Sequence, residues 1–294
     1  MSHKLVSFDW AIKKILRSKA NFGILEGFLS ELLNRNVKII ELLESESNKE
    51  DKHDKFNKVD ILVSLDDGEI VLIEVQISNQ PDYFHRMLFG VSKIVTGYLN
   101  AGDPYSKIKK IYSVNIVYFD LGHGDDYVYH GTTSFLGIHK HDLLDLSTTQ
   151  KLVYKKEDTY QIYPEYYLIK VNEFNDIAKN TLDEWIYFLK NEEVEDTFNA
   201  RGLSEAKDKL DKMKLSPTEL ETYTQYAEDY RCKISTETSM YAEGMAKGKI
   251  EGEQIGIEKG KMEGKIEIAR SMKASGMTDE MIKKITGLNV SDFA

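Results

Sequence analysis

Two short apolar runs joined by a glycine turn constrain this chain more than any other feature. The first reads Lys58-Val59-Asp60-Ile61-Leu62-Val63, the turn holds Asp66-Asp67-Gly68, and the second reads Ile70-Val71-Leu72-Ile73-Glu74-Val75-Gln76. β-Branched residues dominate both runs, as expected of strands, yet each carries an acid, and acids are depleted in strand interiors. A carboxylate is seldom buried without a partner. Two of them on adjacent strands indicate a shared cation. The alternative is a half-exposed hairpin with its acids on the wet face and Lys58 as an ordinary ion-pair partner.

Side chains alternate along a strand, so register decides which residues meet. A two-residue Asp67-Gly68 loop would set Asp60 opposite Val75. A three-residue loop with Gly68 left-handed, forming a G1 bulge, sets Asp60 opposite Glu74 and Ile61 opposite Ile73. The second register is preferred because it leaves one face wholly apolar. It also brings two carboxylates together, which is costly unless a cation or a proton intervenes.

The series Asp60…Glu74-Val75-Gln76 resembles the core motif of the PD-(D/E)XK nuclease superfamily, with Gln where Lys is usual. Three further stretches extend the resemblance. They are Phe8-Asp9-Trp10-Ala11-Ile12-Lys13, then Gln80-Pro81-Asp82-Tyr83-Phe84-His85-Arg86, then Gly97-Tyr98-Leu99-Asn100-Ala101-Gly102-Asp103-Pro104-Tyr105 running into 111–116. In this order they are similar to the Rpn family of recombination-promoting nucleases and putative transposases. The resemblance implies an α/β fold with an αβββαβ core like that of restriction endonucleases. It also implies a Mg²⁺-dependent DNA endonuclease, with Mn²⁺ as the alternative ion, linked to recombination or transposition.

The site residues follow from that reading. Asp60 and Glu74 offer hard oxygen ligands suited to Mg²⁺ or Mn²⁺, and the carbonyl of Val75 completes the protein's share by resemblance. Gln76 can orient a water but cannot neutralise charge. Lys58, two residues before Asp60 on the same strand face, is a candidate to restore that charge. Lys13, one helical turn beyond Asp9, is another, although Asp9 and Lys13 equally form an i,i+4 ion pair. Lys13, Gln80, Tyr83 and Arg86 are candidate contacts to the DNA backbone. The missing lysine also motivates a second reading, an inactive nuclease fold that binds DNA or oligomerises.

Charge and cysteine content narrow the classes. The net charge of -10 speaks against a general nucleic-acid coat protein. Local clusters at Lys4, Lys13, Lys14, Arg17 and Lys19, and at Lys107, Lys109 and Lys110, could still follow a phosphate backbone. A single cysteine, Cys232, excludes an internal disulfide and a cysteine-based zinc site. No leader-like apolar region opens the sequence, and no apolar run reaches membrane-spanning length, so no membrane partner and a cytoplasmic setting are expected.

Apolar spacing predicts helices over 6–16, with Ser7 as N-cap, and over 22–33, then a strand over 37–43 and a polar loop over 45–57. Beyond the hairpin, a helix is expected over 83–100, ended by Gly102 and Pro104, and a strand over 111–119. Further strands are expected over 135–138 and 166–171, and a helix over 182–189 in which Trp185 and Phe188 fill core. His139 and His141 could ligate a metal from a strand, but no third ligand appears at a defined spacing, so a metal site there is not expected.

Organisation follows from a composition shift. Residues 1–200 read as the nuclease-like domain and 201–294 as a helical extension. Within the extension, glycine recurs every four residues from Gly244 to Gly264. Each helical Gly costs about 1 kcal/mol relative to Ala, which favours a fraying helical tether. The other reading is a helix whose glycines let a partner backbone approach, as in a homo-oligomer. Helices over 266–273 and 279–285 follow, the second capped by Thr278 and ended by Gly287.

Overall fold

The computed structural model describes residues 5–43, 60–99 and 102–293. The expected loop over 45–57 lies outside them. The chain forms two compact units, 1–227 and 228–294. The first extends past the expected boundary near 200 because Leu203, Ala206, Leu210 and Tyr223 belong to its core.

The first unit begins with α1 (Phe8–Lys14) and α2 (Phe22–Leu32), followed by β1 (Ile39–Leu42), β2 (Ile61–Leu65) and β3 (Ile70–Gln76). Then come α3 (Tyr83–Gly97), β4 (Ile111–Val117), β5 (Val128–Gly131), α4 (Thr148–Tyr154) and β6 (Glu165–Lys170). Helices α5 (Thr181–Asn191) and α6 (Leu203–Lys209) follow, before the start of α7 (Pro217–Ala274). The sheet runs β1-β2-β3-β4-β6-β5. Its first three strands are antiparallel, and β3, β4 and β6 are parallel. This is the expected mixed α/β architecture, with the αβββαβ series at its centre and a helical extension after it.

The hairpin register is the three-residue one. Ile61 pairs with Ile73 and Val63 with Val71, and Gly68 adopts φ 81°. A left-handed conformation is inexpensive only for glycine, so this residue sets the turn and the register together. Ile61, Val63, Val71 and Ile73 join the main core, with Val114, Ile116 and Ile169 beside them. Leu62, Ile70 and Leu72 point to the other face, where Val91 and Ile94 of α3 cover them. No wet face exists on this hairpin, because the sheet is covered on both sides.

Under the main face, the rings of Phe8, Phe28, Trp185 and Phe188 meet edge-on or tilted, with Phe8 and Phe28 centroids 5.7 Å apart. Close backbone approach seats α2 against the turn before α6. A methyl on Gly27 would lie 2.7 Å from the Gly202 Cα, which is backbone and cannot swing aside. Gly27→Ala is therefore expected to destabilise the protein by about 1–3 kcal/mol through overpacking. Urea unfolding of the variant checks this, with an unchanged midpoint counting against so close a contact.

Other local features differ from the sequence expectation. Ser7 occupies the N-cap of α1, but its hydroxyl makes no capping bond and has no partner among the described residues. Residues 135–138 form no strand, only an isolated bridge between Leu136 and Leu143, and the edge strand lies instead at β5. The short run at 128–131 alternates too briefly to show in sequence, and its backbone is drawn into the sheet by pairing with β6.

The second unit contains the rest of α7 and α8 (Asp279–Thr286). All six glycines of the repeat lie inside α7, and a Cβ at any of them would meet nothing within 4 Å. Thr278 caps α8 by accepting from the Met281 N–H, and Gly287 ends it in a left-handed conformation. Ala269, Ile282, Leu288 and Phe293 close a small core. Among the described residues, no helix is long and apolar enough to cross a membrane.

Candidate active site

Asp60 stands immediately before β2. Its Oδ2 accepts a hydrogen bond from the Val75 N–H at 2.8 Å, which ties the start of one hairpin strand to the end of the other. Arg17 donates to the Asp60 carbonyl at 2.8 Å. Burial raises the Asp60 carboxyl above its usual range, while the Val75 N–H and the charge of Lys13 pull it back.

Glu74, on β3, is only 2% exposed. It points away from the main core toward α3, which passes over it at Gly90, where an added Cβ would lie 4.0 Å from Glu74 Oε1. Neither carboxylate oxygen accepts a hydrogen bond from any described residue. Arg86 Nε lies 3.3 Å from Oε2, close enough for an ion pair but off the hydrogen-bond axis. Burial lifts the Glu74 carboxyl to about 6, with Arg86 opposing and Asp60 adding to the rise.

Gln76 closes β3. Its amide N–H donates to the Ser78 carbonyl at 3.1 Å, and its Oε1 accepts from Arg86 Nη1 at 3.3 Å. Arg86 also donates to Gln80 Oε1 at 3.1 Å. The structure thus gathers Glu74, Gln76, Gln80 and Arg86 around the beginning of α3. Lys13 reaches the same region from α1, 2.6 Å from Asp9 and 3.9 Å from Asp60. The helix ion pair and the approach to Asp60 are therefore both real.

Three expectations need correction or lie out of reach. Tyr83 is fully buried, and its hydroxyl donates to Asn115 Oδ1 at 3.3 Å, so it packs beneath the site and cannot contact DNA. Burial, with Glu74 nearby, holds its phenol protonated far above the ordinary range. Lys58 lies outside the described residues. Of the second basic cluster, Lys110 is buried and paired with Glu165 at 2.7 Å, which removes it from any phosphate path.

Sequence reasoning placed Asp9 only as a partner of Lys13. In the structure it is buried at 2% exposure and also accepts from the Tyr226 hydroxyl of α7. The i,i+4 spacing signalled the first contact. Nothing in the chain order signalled the second, made across 217 residues. Among the described residues, no group of three or more His, Cys, Asp or Glu side chains is arranged to hold a metal ion. Any cation here would rest on Asp60, Glu74 and backbone oxygen. Glu74 fits that role, because its buried oxygens accept no hydrogen bond from any described residue.

This core and this pair of acids define a nuclease-type fold. A family model described as PD-(D/E)XK nuclease family transposase matches residues 6–237, and the chain belongs to that family. No curated protein and no solved structure matches it.

Proposed function

We propose that the protein is a metal-dependent DNA endonuclease that hydrolyses phosphodiester bonds during recombination or transposition. Glu74 is the observation that carries this reading. A carboxyl group that is almost wholly buried, with a misaligned ion pair and no hydrogen bond to either oxygen from any described residue, is better placed as a neutral acid or as a ligand. Asp60 and Glu74 supply hard oxygens for Mg²⁺ or Mn²⁺. The Val75 carbonyl opens on the strand edge where its N–H meets Asp60, since both groups of one residue face the same neighbour. A divalent ion held there lowers the pKa of water and stabilises charge on a phosphate.

The remaining work belongs to the side chains. After its bonds to Ser78 and Arg86, Gln76 keeps one N–H and one lone pair, enough to orient a water. Lys13 holds positive charge beside Asp60, with Lys58 as a second source two residues upstream. Gln80 and Arg86 face the DNA backbone from the beginning of α3.

The test is nicking of supercoiled plasmid by the purified full chain in Mg²⁺, in Mn²⁺ and in EDTA. Conversion to open-circular or linear DNA with either ion, and none in EDTA, is expected. A second reading, a DNA-binding module without turnover, is favoured by the lack of a three-side-chain ligand group among the described residues. Retention of DNA without cleavage in either ion would establish it instead.

A further inference from the structure

Arg86 and Glu74 make an incomplete ion pair. The guanidinium is held firmly by two neutral amides, Gln76 at 3.3 Å and Gln80 at 3.1 Å, through Nη1. Toward Glu74 it presents Nε, 3.3 Å from Oε2 and misaligned, so that among the described residues neither Nε nor the carboxylate has a well-formed hydrogen bond. A buried ion pair offsets its desolvation only when the geometry is good and the remaining lone pairs and protons are satisfied. Here they are not. The pair neutralises charge without locking either partner, while the amides fix where the guanidinium sits.

That arrangement suits exchange. Glu74 would give its charge to a divalent cation held there, and the guanidinium would then be repelled by that cation. Gln76 and Gln80 then keep the guanidinium beside the site with its charge uncompensated. A guanidinium in that state is complementary to an anion bearing two oxygens in one plane, which a phosphodiester provides. It also brings a full positive charge to the tip of Gln76, a side chain that has none.

We propose that Arg86 is an exchangeable counter-ion, holding Glu74 when no divalent cation is bound and binding a DNA phosphodiester once a cation displaces it. The inference rests on the nuclease reading for its cation ligands and deepens it, because cation and DNA binding become cooperative through one residue. The two ligands are then affected in opposite directions when Arg86 is removed.

The experiment measures two affinities of the full chain, with Ca²⁺ as the probe cation so that turnover does not obscure binding. Ca²⁺ affinity is read by titration calorimetry. The affinity for a fluorescent DNA duplex is read by anisotropy, in Ca²⁺ or in EDTA at constant ionic strength. Arg86→Gln is expected to bind Ca²⁺ several-fold more tightly, because a competing positive charge is gone. It is expected to bind DNA in Ca²⁺ about tenfold more weakly, the loss typical of a charged hydrogen bond. The gain in DNA affinity that Ca²⁺ produces in the wild type disappears.

Arg86→Lys keeps the charge but not the fork. It should hold wild-type Ca²⁺ affinity while losing most of the Ca²⁺-dependent gain in DNA affinity, and it carries the test alone if the glutamine variant does not fold. Weakening of both affinities in Arg86→Gln, as a merely structural residue would give, overturns the exchange. Unchanged DNA binding in either variant overturns it as well. Ca²⁺ binding that survives in Asp60→Asn removes the cation assignment beneath it, which separates failure of the nuclease reading from failure of the exchange alone.

Discussion

Asp60→Asn is expected to leave supercoiled plasmid uncut in Mg²⁺, with a loss of about a thousandfold or more, while the protein stays folded. The size follows from what the charge does. A ligand that helps hold a divalent ion positions both the water and the phosphate, and groups that stabilise developing charge in a dry site are worth about 10²–10³ each. Asparagine is the informative replacement because Asp60 has a structural duty too. Its Oδ2 accepts the Val75 N–H at 2.8 Å, and an alanine there would leave a strand-edge donor unsatisfied at a cost of about 1–3 kcal/mol. The asparagine carbonyl preserves that bond and removes only the charge. Thermal melting alongside the cleavage assay separates the two duties. Cleavage at the wild-type rate by the asparagine variant would end the assignment of Asp60.

Glu74→Gln should also abolish cleavage, and it should stabilise the metal-free protein at alkaline pH. The Glu74 carboxyl is lifted by burial to about 6 from an ordinary 4.5. Because the folded-state value lies above the unfolded one, the neutral acid's stabilising contribution is complete below about 4.5 and is lost as pH rises through 6. Above that window, the ionised group costs the fold about 2 kcal/mol. Glutamine, which never ionises, avoids the cost. In EDTA at pH 8 the variant is expected to melt about 4–8 °C above the wild type, and at pH 4.5 the two should coincide. Addition of Mg²⁺ should raise the wild-type melting temperature and leave the variant's unchanged. A constant difference between the two proteins across this pH range would contradict the burial of an ionisable Glu74.

Much of the fold was legible because its signals are local. The helices over 22–32 and 181–191 follow apolar spacing, and Trp185 and Phe188 are core as that spacing requires. β5 was missed because a four-residue edge strand carries too few alternations to be distinguished from a loop. The glycine repeat is helical, as both readings of it required. The propensity penalty is real, yet it is a weak prior, and the helix runs through all six glycines. The placing of Asp60, Glu74 and Gln76 at one end of the hairpin was legible from its register. The burial of Tyr83 was not, since a tyrosine at a helix start serves surface or interior equally well until the strands beneath it are known.

The amino-acid sequence by itself determined the hairpin register, and with it the approach of Asp60 to the end of β3. Strand alternation and the left-handed turn at Gly68 are properties of a few neighbouring residues, and only one register satisfies both. The tertiary structure alone decided that Glu74 lies beneath α3, that Arg86 stands 3.3 Å from it, and that Asp9 is gripped from α7. Periodicity assigns a side chain to a face of its strand or helix. What covers that face, and which distant charge arrives there, depends on elements far along the chain, and those coverings place the carboxylates' charges in a dry interior.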